Sequence, residues 1–443
     1  MVGLTRRELL IDGPAMVAAN ALPPRPSLQK ERNIQRNIAY SGRRPRKVVK
    51  ILERARSTEM KGRAGIQLRQ SDQTYRGSQW TTLVVRRVIL LVMIIAMVFT
   101  VGCGGSTTSR TTTTPPVINK ALWVANGTNV LEFIPSQLSL ASTTLSPHLA
   151  NNSGSFGAPQ GVAFDAAGDL WVIDGGTVTA GGNVKPGLFE FTPAQLSALG
   201  TNKTPTPNIT INSASFTFPQ QAVFDANGNL WVSDNISNAV FVFTPAQLGT
   251  SNANASPNIT ITSNPAFTGP LGIAFDAAGD LWVANNATTT IFEFNASHLP
   301  KTSTTVTLAP DVTLSDDGQG SIQGSWALVF DSTGNLWSSN ANPPNTVVEF
   351  AKANLTASGS PTPAVTLSPT TIGGNSTLNA PNGIAFDNLG DLAAISAATP
   401  FGIAFFEKAQ LSTGGTVAPG VFIVGNATTL NAPAGCTFGP VVN

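Results

Sequence analysis

Five times the chain writes Phe-Asp-x-x-Gly-[Asp/Asn]-Leu, at residues 164–170, 224–230, 275–281, 330–336 and 386–392. An Asp that opens a turn can accept the N–H groups two residues on, and Gly supplies the positive φ that closes it. Apolar residues alternate on both sides of each turn, as in Ile273 and Phe275 before it and Leu281 and Val283 after it. Period-two patterning with β-branched and aromatic side chains predicts two short strands. Trp171, Trp231, Trp282 and Trp337 follow the turn in four copies, and Ala393 stands there in the fifth.

A second signature, Phe-x-x-[Ala/Ser]-[Gln/His/Asn]-Leu, trails each hairpin. Its copies start at Phe133, Phe191, Phe243, Phe294, Phe350 and Phe406, spaced 58, 52, 51, 56 and 56 residues apart. Self-similarity at this period marks a repeat architecture. Each unit holds four predicted strands, and six such units make an all-β, six-bladed β-propeller, whose radial repetition leaves only short, protected edges. The seam supports the count. Residues 432–440 read as a first strand without a second, and residues 120–126 as a second without a first. The C-terminal strand is therefore expected to pair into the N-terminal blade and close the ring.

Charge divides the chain. Residues 1–102 hold 19 of the 26 Lys and Arg and 6 of the 24 Asp and Glu; residues 103–443 hold 7 and 18. The repeat region is acidic, which argues against nucleic-acid binding. Residues 1–59 are basic and without repeats, read as disordered or as upstream of the natural product, with Met60 an alternative start. Residues 60–102 read as a signal peptide: Arg86 and Arg87 precede the 14-residue apolar run 88–101, short against the roughly 20 residues a span needs. Val101-Gly102-Cys103 resembles the lipobox of bacterial lipoproteins, in which the Cys is lipidated and becomes the N-terminus; Thr100 departs from that pattern. An uncleaved anchor and simple secretion are the other readings of this segment. Residues 103–118 then form a Gly-, Ser-, Thr- and Pro-rich tether, and 119–443 the propeller. The expected address is the cell envelope, extracytoplasmic, with a monomeric ring attached to the membrane.

The up-and-down strand order puts the ends of the second strands on one face, with the loops between blades. Asn126, Asp174, Asp234, Asn285, Asn340 and Ser396 leave the second strands there, and Gln160, Gln220, Ser325 and Asn382 enter the first strands. Such residues either cap strand ends or form a rim that binds a sugar, a peptide, a protein or a hard cation such as Ca²⁺, which prefers oxygen ligands. Asp174 and Asp234 are candidate metal ligands, as are Asp316 and Asp317 in the blade-four exit. The glycine-rich insertion 175–186 in blade two is a place where function can be added. The turn Asp residues and the Trp set read as scaffold. Cys436, in the place of Val162, reads as a small apolar residue. His148 and His298, the only histidines, have no evident acid partner in sequence, and no residue is assigned a catalytic role.

The string Pro-x-Gly-[Ile/Val]-Ala-Phe-Asp-x-x-Gly-[Asp/Asn]-Leu-Trp-Val over residues 119–443 resembles the NHL-type repeat family and its relatives. These include the virginiamycin B lyases and the gluconolactonase-type metal hydrolases. The resemblance lies in scaffold positions. The lyases imply a catalytic His, and none matches here. The lactonases imply a divalent metal held by Glu, Asn and Asp. Asp174, Asp234, Asn285 and Asn340 supply some of those types, but no Glu sits at a comparable position. Two functions follow as expectations: an extracytoplasmic binding or interaction module, or a metal-dependent hydrolase or lyase acting at the channel mouth.

Overall fold

The computed structural model describes residues 119–139, 145–179, 182–198 and 204–442. The basic segment 1–59, the signal reading of 60–102, Cys103 and the tether lie outside the described residues. No helix among the described residues is long and apolar enough to cross a membrane.

The described chain is a six-bladed β-propeller. The inner strands are Pro159–Phe164, Pro219–Phe224, Pro270–Phe275, Ser325–Phe330, Pro381–Phe386 and Pro433–Gly439. Each packs on the next, and Pro433–Gly439 lies between Pro381–Phe386 and Pro159–Phe164, so the circle is complete. Blade one is ordered Pro433–Gly439, Ala121–Asn126, Asn129–Phe133, Leu149–Asn151. The last strand thus supplies the first blade's missing member, with Leu122 opposite Phe438 and Val124 opposite Cys436. Trp123 Nε1 donates to the Pro440 carbonyl at 3.2 Å.

Why each hairpin repeats is visible in its turn. Asp225 Oδ1 accepts the N–H groups of Asn227 and Asn229, while Gly228 takes φ +76°. The other oxygen, Oδ2, accepts the indole N–H of Trp231 at 3.0 Å. Trp171, Trp282 and Trp337 repeat this bond to Asp165, Asp276 and Asp331. Each indole then meets edge-on the Phe of the next inner strand, as in Trp231 with Phe275 and Trp337 with Phe386. Both reads of these residues as scaffold agree with their burial and bonding.

The second signature is a short helical turn between the third and outer strands. Its Phe is fully buried in all six blades. In four copies the Gln folds back: Gln247 Oε1 accepts the Thr244 N–H and its amide donates to the Ser256 carbonyl, and Gln137, Gln195 and Gln410 do the same. This is half of a capping box, and it ties the turn to the outer strand.

Three departures from the repeat stand out. Thr304–Leu308, from blade four, pairs in parallel with Ile259–Ser263 and gives blade three a fifth strand. Thr371–Ile372 and Asn375–Ser376 form a small hairpin between blades five and six. Blade six lacks the indole, so Asp387 Oδ2 is buried with no partner; Phe405, opposite Ala393, leans onto Phe438 in its place.

Removing residues 433–443 opens the ring, strips one edge of Ala121–Asn126 and exposes the side chains that Phe438 and Val442 bury. Against a domain stability of about 5–15 kcal/mol, the truncated chain is expected to lose its single cooperative transition in urea. A transition of unchanged midpoint and slope would contradict ring closure by this strand.

Candidate functional site

The candidate residues lie at the ends of the second strands, on the face where the chain passes between blades. Most of them are buried and already bonded. Asp174 and Asp234 are fully buried. Asp174 accepts the N–H groups of Gly157, Ala158 and Gly176 at 2.7–3.2 Å. Asp234 accepts those of Thr217, Phe218 and Ser237 at 2.8–3.1 Å. Asn285 accepts from Thr268. Asn340 accepts from Gln323 and donates to the Ser321 carbonyl. Asn126 accepts from Asn431 and donates to the Thr429 carbonyl. Ser396 accepts from Asn379 and donates to the Thr377 carbonyl.

One geometry therefore recurs in six blades: a strand-end oxygen collects the N–H groups of the loop that leads into its own blade. A buried N–H without a partner is costly, and here a side chain provides the partner, so each loop is pinned at its base. The carboxylates of Asp174 and Asp234 each serve the loop of their own blade. Burial pushes Asp174 up to about 6, against the pull of the Ala158, Gly176 and Gly157 N–H groups.

The positions entering the inner strands differ more. Gln160 is half-buried, with its amide donating to the Ala158 carbonyl. Gln220 is buried, and Asn382 is half-buried, its carbonyl accepting the Ser339 hydroxyl. Ser325 lies one step earlier in its strand and is buried against Ser338. By register the true counterpart of Gln160 and Asn382 in blade five is Trp326, half-buried. Sequence reading missed it because Pro is replaced by Ser325 and the inner Gly by Ala327. Inside this ring lies a channel cavity of about 370 Å³, lined by apolar inner-strand residues such as Ile273, Leu328 and Ile384, with Lys120 at the turn end.

Asp316 and Asp317 share one turn. Asp316 accepts from Ile322 and Gly318. Asp317 accepts from Gln319 and, at 3.4 Å, from Ser321. Burial works to raise the Asp316 carboxyl, but these N–H groups hold it below the usual range. Among the described residues no group of three His, Cys, Asp or Glu is placed to hold a metal.

The histidines need correction: each has a carboxylate neighbour. His298 Nδ1 lies 2.9 Å from Asp311, which the added strand brings round. His148 Nε2 lies 4.0 Å from Glu132 and 3.2 Å from the Val442 carbonyl. Glu132 is fully buried in the blade-one seam, one oxygen taking the Val442 N–H at 3.0 Å and the other without a hydrogen bond. Burial pushes it up to about 7. Glu293 reaches about 7 through burial and the charges of Asp280, Asp311 and Asp276. Cys436 is half-buried against the channel, and desolvation pushes its thiol up, away from the reactive thiolate.

No family model matches this chain, and no curated protein matches it. Among solved structures it is similar to a streptogramin B lyase, at 15% identity over 66% of this chain and 71% of that one, with a TM-score of 0.35. It is similar to a protein of unknown function from Bacteroides caccae, at 11% identity over 72% and 99%, TM-score 0.46. A protein of Bacteroides fragilis named as a candidate 6-phosphogluconolactonase gives 14% identity over 75% and 99%, TM-score 0.47. At such identities their activities do not transfer.

The raised carboxyls set a pH dependence. A carboxyl whose folded pKa exceeds its unfolded value contributes stability below the unfolded pKa, and that stability is lost as pH rises through the folded pKa. The window runs from about 4 up to about 7 for Glu132 and Glu293, and up to about 6 for Asp174. Glu132→Gln keeps an acceptor for Val442 and removes the buried charge. It is expected to be more stable than the parent at pH 8, by on the order of 2 kcal/mol, and to converge with it near pH 4. Urea melts at the two pH values check this; an equal or lower stability at pH 8 would refute it.

Proposed function

We propose that this chain is an extracytoplasmic binding propeller, tethered to a membrane through a lipid on Cys103 and residues 103–118, whose ligand meets the face carrying the blade-to-blade loops. The observation that carries the reading is that two added hairpins and the exposed large apolar side chains share one face. The glycine-rich hairpin of Thr177–Thr179 and Gly182–Val184, the hairpin of Thr371–Ile372 and Asn375–Ser376, and Trp326 all belong to that face. So do Ile236 and Ile372, the exposed large apolar residues among those described. Pinned loop bases with variable tips suit recognition, because ordering costs are met before the ligand arrives.

The strand-end residues Asn126, Asp174, Asp234, Asn285 and Asn340 support this binding face from beneath, and Gln160, Gln220 and Asn382 surround the channel mouth beside Trp326. The ligand class that fits is a carbohydrate, peptide or protein surface offering both apolar and hydrogen-bonding groups. The tether reading fits the same orientation. Ala121–Asn126 runs from the turn face to the loop face, so residue 120 enters opposite the proposed binding surface.

The binding reading is tested with arrays of glycans, peptides and cell-wall fragments. The variant Trp326→Ala, Ile236→Ser, Ile372→Ser is expected to bind any captured ligand at least ~10-fold more weakly while melting within a few degrees of the parent. Undiminished capture would remove this face from consideration. The tether reading is tested by labelling cells with radioactive palmitate: label is expected on the full chain and absent from Cys103→Ser. Label retained by Cys103→Ser, or none on the parent, would overturn lipidation there.

A further inference from the structure

The opposite face carries crevices between neighbouring blades, bounded by the Asp turns and the helical turns. Blades three and six depart from a pattern that the other four share, blade six by pairing Ala393 with Phe405. In blades one, two, four and five the residue paired with the Trp is a glutamate: Glu132, Glu190, Glu293 and Glu349. In blade three the partner of Trp231 is Val242. The crevice between blades five and six, where Glu349 keeps its place, holds about 390 Å³. The crevice between blades three and four holds about 740 Å³.

A second departure meets the first at this point. The blade-four connection does not turn straight into its outer strand. It passes through Pro300 and Lys301, then runs as Thr304–Leu308 alongside blade three. Ala296, Leu299, Pro300 and Lys301 of this connection wall the crevice. The substitution removes a carboxylate from the floor, and the blade-four turn faces the same space. The volume falls inside the roughly 300–1,000 Å³ of small-molecule pockets.

The lining has two zones. Val242, Phe275 and Leu299 form an apolar floor, and Asn227 and Lys301 stand at the rim. Asp225 and Asp276 also border it, but their oxygens are taken by Asn227, Asn229 and Trp231 and by Ala278, Asp280 and Trp282. An amide, one cation and two bonded carboxylates favour neutral hydroxyl groups, which donate and accept, over a charged head. A long aliphatic or aryl body suits the floor, at about 25 cal/mol per Å² buried.

We propose that the crevice between blades three and four is a second ligand site, for a neutral amphipathic polyol of the alkyl- or aryl-glycoside class. The apolar body lies on Val242, Phe275 and Leu299, and the hydroxyl head meets Asn227 and Lys301. This site is independent of the loop-face reading and stands or falls without it.

The experiment is calorimetric titration of the whole chain with hexyl β-D-glucoside and phenyl β-D-glucoside, with glucose and hexyltrimethylammonium as comparisons. Dissociation constants of roughly 0.1–1 mM are expected for at least one glucoside, with glucose at least ~10-fold weaker for want of an apolar body. Val242→Glu restores the residue that four other blades carry and is expected to weaken binding at least ~10-fold, since the floor then carries a charge. Val242→Met fills the same space without charge and is expected to weaken it too, which separates occupancy from any unfolding by the glutamate. Thermal melts accompany both variants. No binding of either glucoside at 10-fold above that range, equal binding by a folded Val242→Met chain, or tighter binding of hexyltrimethylammonium than of both glucosides would each overturn the proposal.

Discussion

The structure depends on one carboxylate used twice. In each full copy the turn Asp closes its own hairpin with one oxygen and receives the indole N–H of the following Trp with the other. The indole is thereby fixed in orientation, and its ring face is offered to the Phe that ends the next inner strand. A bond made within seven residues of sequence thus sets the packing between blades. Edge-on aromatic pairs add about 0.5–1.5 kcal/mol beyond the area they bury, and the ring repeats the pair at five of its six interfaces. In blade one the Pro440 carbonyl stands in for the carboxylate, so the seam is held by the same indole geometry.

The exceptions are informative because the rule is so regular. Blade six exchanges the Trp–Glu pair for Ala393 and Phe405, and the aromatic mass crosses from the second strand to the third. Side-chain volume and the hydrogen bond are both lost, and Asp387 carries the consequence as a buried oxygen without a donor and a carboxyl pushed up by burial. Blade three keeps the Trp and exchanges the Glu for a Val of similar size, so the bond survives and a carboxylate is lost instead. The two changes have different results: an unpartnered turn carboxylate in one blade and an apolar partner for the Trp in the other.

The two faces differ in how loops are held. Near the turn face, Asp and Gln side chains satisfy turns a few residues away, so those turns repeat from blade to blade. On the other face the strand-end oxygens reach back 16 or 17 residues to pin the incoming loop at its base. The loop beyond that point is free to vary in length, and two hairpins use that freedom.

Strands, turns, blade count and the closing strand were all legible in the sequence, because each rests on local patterning repeated at fixed spacing. Phe438, Cys436 and Ala434 carry the inner-strand pattern even at the far end of the chain. The tertiary structure alone decided how the polar residues are used. Asp174 and Asp234 look like rim ligands in sequence, yet their oxygens point at backbone N–H groups, which only the return of the loop brings near. The pairing of Thr304–Leu308 with the preceding blade, the meeting of His298 with Asp311, and the burial of Glu132 against Val442 likewise join segments with no shared local signal. A sequence fixes what its near neighbours can hydrogen-bond and bury; which distant groups share a desolvated space follows from closure of the ring.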